Sequence, residues 1–118
     1  MILYHRTGAA HQILANGFRD GEGTYLTSVV HRGVWLSNMP LDCNEGAKGD
    51  QLLCLELDEQ AIAEFEWIEE GKGYREWCIP AQIINERAIG LRLVDGDEET
   101  ELIVAKWRGL SNSQRPLP

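Results

Sequence analysis

The feature that most constrains this chain is how its apolar residues are broken up. They come in short runs, "ILYH" (2–5), "GVWLS" (33–37), "QLLCLELD" (51–58), "YREWCIP" (74–80) and "RAIGLRLVD" (87–95), and all but the first begin or end at Gly, Pro, Asp or Asn. Runs of this length, rich in β-branched and aromatic residues, predict strands. Between the first two, Thr7 can cap a helix through its hydroxyl, and "GAAHQILANG" places apolar Ala10, Ile13 and Leu14 on one helical face before Gly17 stops it. Residues 19–32, with "DGEG", predict an extended loop around a short strand at Tyr25 and Leu26. A weak helix is expected over 58–64 and one turn at "PAQIIN". "ETELIVAKW" suits strand or helix, and 111–118 reads as a flexible C-terminal tail. The expectation is one α+β domain over residues 1–110 with more strand than helix.

The chain has 118 residues, enough for a core without metal or disulfide staples. Eleven basic against nineteen acidic side chains leave a net charge of −8, which repels a phosphate backbone and argues against general nucleic-acid binding. No apolar run reaches the roughly 18 residues of a membrane helix, and His5 and Arg6 interrupt the place of a signal peptide's apolar stretch, so a cytoplasmic protein is expected. Three cysteines, Cys43, Cys54 and Cys78, have no C-x-x-C spacing, and three scattered histidines have no i, i+4 pair. Neither a disulfide framework nor a metal site is indicated.

Alternation along a strand sends neighbours to opposite faces. If Val34 and Leu36 face the core, Trp35 points the other way. If Trp77 and Ile79 face the core, Glu76 and Cys78 lie opposite, with Tyr74. A mid-strand carboxylate among aromatic residues costs desolvation energy unless it has a partner or a task. The plainer alternative leaves Glu76 on a solvated sheet face. His5 ends the first strand, next to Arg6 and Thr7 at a helix start where unpaired N–H groups can meet an anionic or carbonyl-bearing ligand. Its plainer alternative is a capping-region histidine with an ordinary hydrogen bond.

In order, "YHRT", "ILANGF", "GVWLS" and "REWCIPAQIIN" resemble the ADP-ribosyltransferase fold, in its diphtheria-toxin and poly(ADP-ribose)-polymerase-like branch with a His, Tyr, Glu signature. The resemblance spans residues 3 to about 86 and implies a small split β-sandwich with one N-terminal helix and few short helices. It matches His5 to the signature His, Trp35 to the usual Tyr and Glu76 to the catalytic Glu. Arg6 stands where the family commonly has Gly, and Trp35 keeps an aromatic face without the hydroxyl.

The implied activity is mono-ADP-ribosyl transfer from NAD, as substrate, to a protein, nucleic acid or small molecule, by a monomer without metal, with a toxin-like role among the expectations. The resemblance implies that Glu76 opposes ribose charge, His5 bonds the dinucleotide and Trp35 stacks on nicotinamide. Arg6, Thr7 and Tyr25 are further cofactor-binding candidates, and segment 38–50, with Asn38, Asp42 and Asn44, is a candidate acceptor contact. The alternatives are a non-catalytic NAD- or nucleotide-binding module, NAD glycohydrolysis, and an RNA 2′-phosphotransferase, which the acidic balance disfavours.

Overall fold

The computed structural model describes residues 1–24, 30–41 and 49–113. Strands β1 (Ile2–Thr7), β2 (Gly21–Thr24), β3 (Val30–Ser37), β4 (Gln51–Glu56), β5 (Glu66–Trp67), β6 (Glu76–Ile79) and β7 (Ile89–Leu93) interleave with helices α1 (Ala10–Asn16), α2 (Glu59–Ile62), α3 (Ala81–Arg87) and α4 (Gly96–Ser113). The strands form one antiparallel sheet in the order β5-β6-β3-β1-β4-β7, with β2 paired to β3 beside that path. No helix among the described residues is long and apolar enough to cross a membrane.

Register explains the apolar runs. Leu53 and Leu55 of β4 lie opposite His5 and Leu3 of β1, and Val34 and Leu36 of β3 lie opposite Ile79 and Trp77 of β6. Leu3, Val34, Leu36, Leu53, Leu55, Trp77 and Ile79 form the main core with Ala10 of α1, Ile62 of α2 and Ile84 of α3. On the opposite face Leu52 and Cys54 pack with Val94, Tyr4 and Leu102 of α4. β4 is therefore covered on both sides, which is why its sequence is almost continuously apolar.

The sheet is unevenly joined. β1 pairs with β4 at six positions, from Ile2↔Glu56 to Thr7↔Gln51, but with β3 only at Tyr4↔Ser37. Past that point the ladder between β1 and β3 stops, and the C-terminal end of β1 and the first part of β3 take different partners. Val34–Ser37 pairs with β6, whereas Val30–Gly33 pairs with β2.

Several expectations are corrected. The segment 19–32 holds a strand, β2, and the start of β3, including His31, because backbone pairing overrides the low strand preference of "GEGT". Tyr25 and Leu26 lie outside the described residues. "ETELIVAKW" belongs to an 18-residue helix. Asp97, Glu98 and Glu99 in its first turn favour the positive helix N-terminus, and Asp95 Oδ1 accepts from Glu98 N at 2.8 Å. That helix runs through Ser113, and it removes both the expected excess of strand and the picture of few short helices.

Thr7 does not cap α1 as expected: Ala9 occupies the cap position, and Thr7 Oγ1 accepts instead from Ala9 N at 2.9 Å, a turn just before the helix. Gly17 does end the helix, with φ 85° and its N–H on Ile13 O at 2.8 Å. Near the same turn, Gly49 has φ 112°, and a Cβ there would sit 2.2 Å from the Thr7 carbonyl carbon. Gly49→Ala must push this backbone apart and adopt a disfavoured φ. The expected loss is at least about 1 kcal/mol of stability, read in urea unfolding as a lower midpoint with an unchanged slope.

Candidate functional site

Where β1 and β3 stop pairing, a cavity of about 550 Å³ opens beside α1, within the size range of small-molecule sites. His5 and Thr7 of β1, Gly33, Val34 and Trp35 of β3, Gln12, Ile13 and Asn16 of α1, and Phe18 and Arg19 after it contribute to its wall. Ile13, Phe18 and Val34 make much of this lining apolar, with a few polar groups at particular places.

His5 spans the parting of the strands. Its Nδ1 lies 2.8 Å from Trp35 O, and because a carbonyl only accepts, Nδ1 carries the proton. Nε2 of the neutral ring then keeps a lone pair and accepts from a hydroxyl or N–H donor. The Phe18 ring meets the imidazole edge-on, 5.5 Å between centroids. Burial holds the His5 pKa below its ordinary value, and the bond to the Trp35 carbonyl opposes that shift only in part. The ring is thus neutral at neutral pH, set to accept one hydrogen bond and donate another.

Glu76 is not among the residues that line this cavity and sits on the other face of the sheet. It lies opposite Ser37, and Trp35 lies opposite Cys78, so all four side chains share one sheet face, as alternation predicts. Trp35 and Glu76 are diagonal neighbours, a relation that puts Cα atoms about 7–8 Å apart. Trp67 pairs with Glu76 across β5 and β6, and its ring meets Trp35 edge to face at 6.3 Å and 80°. At 6% exposure Glu76 is buried, which rules out the solvated-face alternative. Lys72 supplies the compensating charge: its ammonium contacts Glu76 Oε1, lies 3.6 Å from Glu69 and sits 5.2 Å from the centre of the Tyr74 ring.

The structure brings His5, Thr7 and Trp35 to one cavity, and puts Trp35 and Glu76 on one sheet face. By register His5 belongs to the other face, with Leu3 and Leu53, so the imidazole and the carboxylate approach Trp35 from opposite sides of the sheet. Trp35 is the residue common to both groups.

Arg6, a cofactor-binding candidate, is engaged within the fold. Its buried guanidinium contacts Glu99 of α4 and donates from Nε to Leu41 O, tying α4 to the sheet. Lys106 of α4 adds a bond from Nζ to Pro40 O at 3.0 Å. At the start of α1, Thr7 Oγ1 accepts from Ala9 N and Gln51 Oε1 from Ala10 N at 3.3 Å. Asn38 is engaged with the backbone of Arg75, accepting from its N–H at 2.8 Å; Tyr25, Asp42 and Asn44 lie outside the described residues.

Sequence reasoning missed Arg19, Trp67 and Lys72. Arg19 directly follows the "ILANGF" motif, but only the path of the chain after Gly17 shows that it lines the cavity. Trp67 and Lys72 sit in a stretch whose Gly and acidic residues read only as a turn. Among the described residues no cluster of His, Cys, Asp and Glu suits a metal ion. Cys78 shares a face with Glu76, but burial, Asp20 and Glu76 push its thiol pKa up, away from a reactive thiolate. No protein-family model, curated protein or solved structure matches the chain.

The low His5 pKa sets a sign for pH dependence. The unfolded chain protonates this histidine near its ordinary value, roughly 6.5, before the folded protein does. Its contribution is complete above that value and is lost as pH falls towards the lower folded pKa. Urea unfolding at pH 7.5 and pH 5 should show a loss of stability on acidification that is smaller in His5→Gln.

Proposed function

We propose that the chain is an NAD-dependent mono-ADP-ribosyltransferase of the diphtheria-toxin and poly(ADP-ribose)-polymerase-like kind, a small split β-sandwich acting on an acceptor yet to be identified. The observation that carries this reading is the placement of Trp35. It lines the cavity that holds His5 and Thr7, and it shares a sheet face with the buried Glu76. The quoted motifs supply the chemistry.

In this reading the dinucleotide passes through the gap where β1 and β3 part, so that the indole of Trp35 meets the nicotinamide ring on one side of the sheet and the His5 Nε2 lone pair accepts from a ribose hydroxyl on the other. Arg19 supplies a cation for the pyrophosphate at the cavity wall. The bond from ribose C1′ to the nicotinamide nitrogen breaks with its electron pair leaving on nicotinamide, while positive charge grows on the ribose as in glycoside hydrolysis. An acceptor nucleophile then bonds C1′ and gives up its proton.

Glu76 opposes the developing charge. A carboxylate about 4 Å away at an effective dielectric near 20 supplies roughly 4 kcal/mol. That corresponds to about a thousandfold in rate where the charge is specific to the transition state. Lys72 and the ribose must share this carboxylate, Lys72 taking Oε1.

That same ion pair supports a second reading. An ammonium on Glu76 offsets the field the reaction needs, as suits a non-catalytic NAD- or nucleotide-binding module on the same fold. Incubation with NAD while following nicotinamide release separates the two. Release should fall by about a thousandfold in Glu76→Gln and Glu76→Ala, whereas NAD binding without release supports the module. Release unaffected by either substitution removes Glu76 from the site. Trp35→Ala should weaken NAD binding roughly tenfold, as expected for one lost aromatic stack, while Trp35→Tyr retains it; titration calorimetry checks both.

A further inference from the structure

A residue 80 positions after His5 in the chain is bonded to the phenylalanine that meets its ring. Asn85 of α3 grips the backbone of Phe18 at both polar groups: Phe18 N donates to Asn85 Oδ1 at 2.8 Å, and Asn85 Nδ2 donates to Phe18 O at 2.9 Å. This two-bond clasp fixes the chain immediately after α1, where Gly17 turns with φ 85°. Gly17 also makes room for it, because a Cβ at that position would lie 2.9 Å from Asn85 Oδ1. Phe18, 5% exposed, then sets its ring edge against the imidazole of His5. The opposite constraint on the imidazole is its bond to Trp35 O.

We infer that Asn85 is a positioning residue for the cavity. Through Phe18 it holds the His5 ring in the one orientation that donates from Nδ1 to Trp35 O and keeps Nε2 as an acceptor for a ligand hydroxyl. Neighbouring interactions assign the remaining parts of this corner to other tasks. Asp20 Oδ1 accepts from Ala81 N at 2.7 Å at the start of α3, holding the same stretch to the same helix by a separate bond. Thr7 Oγ1 is engaged by Ala9 N. Arg19 is the charged residue that lines the cavity with His5, and Gln12 and Asn16 line it without charge. Phe18 is thus the described side chain seen in ring contact with His5, and Asn85 is what locates Phe18.

The positioning role rests on geometry alone; its use for NAD rests on the function proposed above. The test is the titration of His5 by NMR, its signal assigned by its loss in His5→Gln. In Asn85→Ala, release of Phe18 should hydrate the imidazole and raise its pKa towards the ordinary value. Phe18→Ala should do the same, and the double variant should match Phe18→Ala alone, because Asn85 acts through Phe18. Asn85→Gln, which keeps both amide groups one methylene farther out, should give a smaller shift and serves where the alanine variant does not fold.

An unchanged His5 titration in folded Asn85 variants overturns the inference, as does an Asn85 effect that adds in full to that of Phe18→Ala. NAD added to the wild type should shift the His5 signal, and Asn85→Ala should bind NAD roughly tenfold more weakly, the scale of one neutral hydrogen bond. NAD that leaves the wild-type signal unmoved rejects the NAD reading while the titration still decides the role of Asn85. NAD bound equally well by both proteins, with His5 shifted by the Asn85 substitution, overturns the ligand-positioning role.

Discussion

The hydrogen bond from the His5 imidazole to the carbonyl of Trp35 lies where this sheet is weakest. β1 is joined to β4 along its whole length and to β3 at one residue pair, so the strands from β5 to β3 meet those from β1 to β7 across a narrow seam. A backbone carbonyl at such a seam needs a partner, since an unsatisfied buried acceptor costs about 1–3 kcal/mol. His5 provides it from a side chain, and a side chain can meet that need while the backbones stay apart. The space so created is bounded by α1, Phe18 and the start of β3, and it is here that the candidate ligand cavity lies. One bond therefore satisfies that carbonyl and sets the tautomer of the histidine at the edge of the cavity.

Charge is arranged around this frame in two distinct ways. Arg75 bonds both Glu66 and Glu59, and Arg92 bonds Glu98, on exposed surfaces where each such pair contributes about 0–1 kcal/mol. Arg6 with Glu99 and Lys72 with Glu76 are largely withdrawn from solvent, and each holds a particular group in place. The first docks α4, which carries the acidic first turn that Arg6 meets. The second keeps a carboxylate inside an aromatic neighbourhood made by Trp35, Trp67 and Tyr74, where an uncompensated charge would be strongly disfavoured. In an acidic chain, placing Arg19 at a cavity wall favours an anionic ligand there.

Much of the architecture was legible from alternation. Val34 and Leu36 face the core and Trp35 does not; Trp77 and Ile79 face it and Glu76 does not. The near-continuous apolar run at 51–58 signalled a strand, and the structure covers it on both sides. The hairpin of β2 was not legible, because "GEGT" forms a strand by pairing with β3 rather than by the preference of its residues. Nor was the length of α4, whose apolar residues are few and whose docking depends on Arg6, Lys106 and Leu102 meeting distant parts of the chain.

What the sequence by itself determined is which side chains leave the core: strand geometry forces neighbours to opposite faces, so Trp35 and Glu76 were each turned away from the core before any strand was paired with another. What only the tertiary structure decided is how His5 joins them. Its face follows from β4, its tautomer from the carbonyl of Trp35, and its ring contact from a phenylalanine clasped by Asn85. The physical reason is that alternation is a property of a single strand, whereas the place where two strands stop pairing, and what fills the gap, depends on every element packed around it.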